Sequence, residues 1–434
     1  MRGRGRGIVA AAVVVAAALS VGASAGAQTL TFEQTVADLT NSDVDARLRA
    51  AQALKESPFP EAALPLAKAV LDTDDRVQHE AISAELNVFL AERIVPRKRV
   101  GFVIEVRNRI DPQSIFEAGW RALDPRVVPD AVLTALRTAA NDDNSTIAAE
   151  ALYAFGSLGA NVYGRDRDAL LTRSASELAT TLGNPDYRVR EAAVQVVERL
   201  YWRRPGEGAI DMTLGDALVT TLNDRAPSVR RGAMNALGAA RYERSVQALT
   251  DMVLHYEHGP DAVAGMFALA RIAHASSAAL FNQALVGRDA LLKAAAIEGI
   301  ARSGDVAEAG RLAQAAAGDK NGEVQLSASF ADAVLSEGSI NALVDGLTKP
   351  ALHNRALGLM SEVAPGREST LAPHVPDPKP AVRADLLDAI GISNDQGLLT
   401  QVERLVNDPD PVVARTATRA MFRLKGQGAP GTRP

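Results

Sequence analysis

The sequence predicts an all-α protein built as an α-solenoid, and three observations carry that prediction. The segment NPDYRVREAAVQVVERL (184–200) places Val189, Ala192, Ala193, Val196, Val197 and Leu200 at the spacing of one helix face. The same frame, an Asp or Asn turn followed by an apolar helix face, returns along most of the chain. Composition agrees: 47% of residues are hydrophobic but only 4% aromatic, an excess of Ala, Val and Leu that suits closely packed helices better than sheets. A single such face cannot be buried alone, whereas stacked copies bury one another.

Taken in order, residues 1–27 read as an export signal. Arg2, Arg4 and Arg6 form a positive start, residues 8–21 an apolar run, and Ala25, Gly26 and Ala27 a small-residue cleavage site, so the mature chain is expected to begin at Gln28. The run of about 14 apolar residues is shorter than the roughly 20 that span a bilayer, and no later stretch is apolar enough to do so. The expected location is therefore periplasmic or secreted, and the chain is not expected to be an integral membrane protein. With no cysteine there is neither a disulfide nor a lipidated-cysteine anchor. The formal charge of −5 becomes about −8 once the three leader arginines are removed, which argues against nucleic acid as a partner.

The solenoid is expected over 28–424. Copies of the frame open at Asn41, Asp72, Asp142, Asn184, Asp224, Gly287, Asp319, Leu347, Asp377 and Asp408, with a weaker one at Gly259. The later copies recur at about 28 to 32 residues, room for two helices and two turns, so each unit is expected to be a helical hairpin. First helices are legible too, as in the stripe Ile210, Leu214, Leu218 and Leu222. Glycines such as Gly159 and Gly304 fall at helix ends, where a left-handed cap is the ordinary role. Two regions break the period: 92–130, a divergent repeat or an insertion, and the link holding Gly206 and Gly208. The Gly- and Pro-rich stretch 425–434 is expected to be a disordered tail.

The pattern D-x-D-x-x-V-R-x-x-A-A-x-A-L, clearest in 184–197 and 224–237, resembles the HEAT-repeat family, and the resemblance extends over nearly the whole mature chain. Its short period is similar to the subclass also found in phycobilisome lyases. The resemblance implies a right-handed superhelix of HEAT-like helical hairpins and a binding scaffold, without naming a ligand. Within the motif, turn Asp or Asn residues accept hydrogen bonds from free helix amides, and Ala193 and Ala233 let neighbouring helices approach. The recurring arginines Arg47, Arg190, Arg230 and Arg383 read as inter-repeat ties rather than as a ligand site.

Candidate binding residues therefore lie where the pattern stops explaining the sequence. Arg97, Lys98 and Arg99, continued by Arg107 and Arg109, form a basic patch in an acidic chain that would grip an acidic partner, or else are solvated side chains and ion pairs. Tyr201 and Trp202, flanked by Arg203 and Arg204 and preceded by Tyr153, Tyr163 and Tyr187, have the composition of a binding hot spot, or else fill a widened gap between repeats. Trp120 carries the same two readings.

Enzymatic chemistry finds little support. His255 and His258 have no evident third ligand, and His79-Glu80 resembles only one of the several pairs with which HEAT-like deoxyhypusine hydroxylases hold iron. No nucleophile elbow or phosphate loop occurs, so neither cofactor nor metal is expected. The leading expectation is a non-catalytic exported scaffold that presents a long curved surface to a protein partner in the bacterial envelope, an acidic one if the basic patch is what grips it. The alternatives are a cell-wall or carbohydrate-binding module and, behind it, a lyase-like enzyme.

Overall fold

A computed structural model describes residues 31–92, 110–202, 210–393 and 396–425. The leader 1–27, the basic patch Arg97, Lys98 and Arg99 with Arg107 and Arg109, the pair Arg203 and Arg204, and the tail beyond Lys425 lie outside the described residues. Among the described residues the chain is helical throughout, with one isolated β-bridge and no strand.

Helices come in antiparallel pairs that stack in chain order. The N-terminal pairs are α1 (Phe32–Asp38) with α2 (Val44–Glu56) and α3 (Ala63–Ala69) with α4 (Asp75–Phe89), followed by an unpaired α5 (Pro112–Ala118). Then come α6 (Asp130–Ala139) with α7 (Ser145–Gly159), α8 (Gly164–Thr181) with α9 (Tyr187–Leu200), α10 (Met212–Thr221) with α11 (Pro227–Ala239), and α12 (Val246–Tyr256) with α13 (Gly259–Ile272). The C-terminal pairs are α14 (Ala278–Leu285) with α15 (Ala290–Ala301), α16 (Ala309–Ala316) with α17 (Gly322–Leu335), α18 (Asn341–Leu347) with α19 (His353–Val363), α20 (Glu368–Leu371) with α21 (Pro380–Ser393), and α22 (Leu399–Leu405) with α23 (Pro411–Lys425). Each second helix packs on the second helix of the next pair, from α2 and α4 through α21 and α23, so these helices form one continuous inner wall. The architecture is an α-solenoid with a single extended core.

The repeat frame shows why. In α9 the predicted stripe of Val189, Ala192, Ala193, Val196, Val197 and Leu200 is buried, and Asp186 caps the helix by accepting from the Arg188 amide. Asn184, two residues earlier, accepts from the Asp186 amide at 2.9 Å and closes the turn. Arg190 then ties one repeat to the next: its guanidinium donates to the turn carbonyls of Asn184 and Pro185 and forks onto Asp224 of the following repeat at 2.6 and 2.9 Å. Arg47 does the same with Asp72, Arg230 with Asp261, and Arg383 with Asp408. Lys293 pairs with Asp319 at the equivalent step. Charge and backbone satisfaction thus run as a ladder along one edge of the array.

Gly159 departs from the role expected of it. It is the last residue of α7 and not left-handed, and a Cβ there would meet Leu200 at 3.3 Å, so its smallness serves helix packing; Gly304, at φ +75°, does take the left-handed conformation.

The irregular region is an excursion with a closed neck. Leu90 and Leu123 form the antiparallel bridge, reinforced by the Ala91 amide on the Ala122 carbonyl and the Asp124 amide on that of Phe89. What leaves the array after α4 therefore returns to the same place, and between them the described part supplies α5 and a single 3-10 turn, Trp120–Ala122. That turn reaches the far end of the chain. Arg121 pairs with Asp385 and Asp388 of α21, both almost fully buried, and His353 of α19 shares Asp385 at 3.0 Å. From α23, the buried Arg419 donates to the carbonyls of Trp120 and Leu123 at 2.9 and 2.7 Å. The solenoid closes on itself through the excursion.

Candidate functional site

Closure leaves a half-open cavity of about 830 Å³ on the inner wall. Its sides come from α5 (Phe116, Glu117), the turn at Trp120, the α7–α8 connection (Val162, Tyr163), the end of α9 (Glu198, Arg199), Trp202, Arg271 of α13, Asn354 and Ser361 of α19, and Arg423 of α23. A volume of this size lies within the range of pockets that hold ligands, and the combination of aromatic rings with a few polar groups is their usual chemistry.

Both tryptophans singled out in the sequence line this cavity, although 82 positions separate them. Trp202 is placed by Arg167, whose Nη2 donates to the carbonyls of Leu200 and Trp202 at 2.9 and 3.2 Å. Trp120 stands under Arg423, whose guanidinium lies 5.3 Å from its ring and 5.1 Å from that of Tyr163. Tyr201 is elsewhere: it is 1% exposed, and its hydroxyl donates to the Leu171 carbonyl at 2.6 Å. Its neighbour in sequence faces the cavity while Tyr201 faces the core, because the chain leaves α9 at this point and the two side chains part. Tyr153 packs on Phe116 in the core, and Tyr187 is exposed outside the cavity.

Sequence reading did not find the arginines. Arg199 lies 3.4 Å from the Phe116 ring centroid and donates to the Phe116 carbonyl at 2.6 Å. Burial pulls its guanidinium down to about 10, with Glu198 only partly opposing. Glu198 is itself pushed up by burial, against the pull of Arg271 and Arg199. The only available signal was a basic residue in the last turn of a second helix, as at Arg199, Arg271 and Arg423, and that pattern is equally the ordinary complement of a helix dipole.

The rest of the inner wall treats its arginines differently. Arg302, 4% exposed, pairs with Glu298 and Glu362; burial pulls it down, but these two carboxylates outweigh that and hold it above its usual value. Arg241 also reaches Glu362, and Arg355 pairs with Glu298 and Glu323. At the cavity, by contrast, no described ion pair engages Arg199, Arg271 or Arg423, and Nη1 of Arg423 is buried without a hydrogen-bond partner. Among the described residues no group of three or more His, Asp or Glu side chains is placed to hold a metal ion.

Comparison with known proteins agrees with the repeat pattern. Residues 175–262, from within α8 to the start of α13, match the family model of HEAT repeats. A search of curated proteins returned no match. Among solved structures, an engineered protein is 18% identical, with 92% of this chain and 99% of that chain covered at a TM-score of 0.43. A second engineered protein, also 18% identical, covers 62% of this chain and 94% of its own at 0.36. Human deoxyhypusine hydroxylase in complex with glycerol is 16% identical, with 60% and 99% covered at 0.29.

Proposed function

We propose that this chain is a non-catalytic HEAT-repeat scaffold, exported to the bacterial envelope, whose work is to hold a protein partner in the closure cavity. The observation that carries the reading is the meeting of Trp120 and Trp202 with Arg199, Arg271 and Arg423 in the cavity beside the excursion. Trp, Tyr and Arg are the residues that anchor protein interfaces, and a recessed, partly dry setting is where they bind most strongly. Arg203 and Arg204 follow Trp202 directly in the sequence, and Arg97, Lys98 and Arg99 precede Phe116 and Trp120 by about twenty positions. Carbohydrate stacking is less well served, since Arg423 already stands against the Trp120 ring. Export rests on the three leader arginines, the apolar run and the Ala25-Gly26-Ala27 site.

A photoreactive residue at position 202 or at the exposed Asn354 is expected to give the same discrete adduct in an envelope fraction. The same probe at Val286, which is 84% exposed and lines no part of the cavity, should not give it. Adducts that do not distinguish the three positions would remove the cavity from the reading. Export is checked on the same preparation: an N-terminus at Gln28 in the envelope supports it, and an intact Met1 in the cytosol overturns it.

A further inference from the structure

We infer that the closure cavity takes carboxylates, presented as an acidic peptide segment of the bound protein. This rests on the scaffold reading and adds the chemistry of the partner. Farther along the inner wall Arg302, Arg241 and Arg355 are matched by the carboxylates Glu362, Glu298 and Glu323, while the buried Arg419 is matched by backbone carbonyls. Arg121, next to Trp120 in the chain, is matched by Asp385 and Asp388. Arg199, Arg271 and Arg423 form none of the described ion pairs: Arg199 donates to the Phe116 carbonyl, Nη1 of Arg423 is buried without a hydrogen-bond partner, and Arg271 acts on Glu198 and Glu362 only through space.

Leaving charged groups half-desolvated and unpaired is unfavourable, and an incoming carboxylate relieves that cost at each guanidinium. Glu198 is drawn to Arg271 and Arg199, but neither it nor Glu117 and Asp168, the other acids of the lining, forms a described ion pair with the three guanidiniums. The guanidinium fork suits a carboxylate geometrically, while Trp202 and Phe116 offer apolar surface to the carbon chain between one carboxylate and the next. Because the chain as a whole is acidic, at −5, the rest of its surface does not favour such a segment, and the cavity stands out as its site.

The chain supplies its own reporter, since its two tryptophans both line the cavity. Titrating a short oligoglutamate peptide into the full-length protein at low salt is expected to shift tryptophan emission, whereas an oligoglutamine peptide leaves it unchanged. Arg271→Gln should weaken oligoglutamate binding by about tenfold or more with the helical circular dichroism and melting temperature preserved, while the exposed Arg288→Gln has no effect. Arg199→Gln should weaken it further. Equal responses to the two peptides, or affinity indifferent to Arg271, would overturn the assignment. Citrate or inorganic phosphate binding as tightly as the peptide would give the cavity to a free anion and overturn the peptide. Photoadducts at positions 202 and 354 that persist while oligoglutamate fails to bind would sink this inference alone and leave the scaffold standing.

Discussion

At the scale of single residues, a half-buried and a fully buried acid give the protein opposite responses to pH. Asp224 accepts the Arg190 fork, and that hydrogen bond holds its carboxyl below the usual range. A lowered native pKa contributes stability that is present above the unfolded value near 3.9 and is lost as pH falls through the native one. Asp224→Ala strips Arg190 of its partner and should cost about 1.5 to 3 kcal/mol at neutral pH, read from chemical denaturation, with the difference shrinking toward pH 3. Glu85 of α4 behaves the other way: it is fully buried, neither oxygen has a hydrogen-bond partner, and burial raises its carboxyl well above normal. Its contribution is complete below the unfolded value near 4.3 and declines as pH rises through the raised native value. Glu85→Leu should therefore stabilise the protein by about 1 to 3 kcal/mol at pH 8 and by less at pH 4; a gain that does not depend on pH would contradict this account.

At the scale of helices, the distance between neighbouring second helices is set by small residues. Ala193 is fully buried in α9, and a Cβ on Gly238 of α11 would stand 2.7 Å from the Ala268 Cα of α13, against backbone that has little room to shift. Ala193→Leu and Gly238→Ala should each lower stability by about 1 to 3 kcal/mol in thermal melts. Unchanged melts for both would mean that the helices are not in contact at these positions. This level of structure was legible in the sequence because it is local and periodic. The stripe of α9 and the arginine ladder repeat in copy after copy, so physical reasoning about one copy applies to the next. Gly159 was misread because a glycine near a helix end has two uses, and only the position of Leu200 from the next repeat distinguishes them.

At the scale of the whole molecule, the contacts that matter most lie outside the repeat. Arg121 meets Asp385 and Asp388, 264 and 267 residues away, and Arg419 meets the Trp120 and Leu123 carbonyls across 299 and 296 residues. Nothing periodic announces such pairs, so the sequence marked Trp120 and Trp202 as irregular without showing that they share a cavity or which arginines join them. Arg121→Ala leaves the buried Asp388 without its cation and Asp385 with His353 alone, and should cost about 3 to 5 kcal/mol, with the last hairpins loosening and the radius of gyration rising in small-angle scattering. An unchanged radius would show that α23 stays docked by other means. The same long spans bear on how the molecule is made. A stack held by neighbours can begin folding anywhere and grow outward, but a link across nearly 300 residues carries a loop-closure entropy that only a largely built array can offset. The cavity is accordingly expected to be completed last as the chain emerges, and a chain cut short before α23 would lack Arg423 and the Arg419 tie to the excursion.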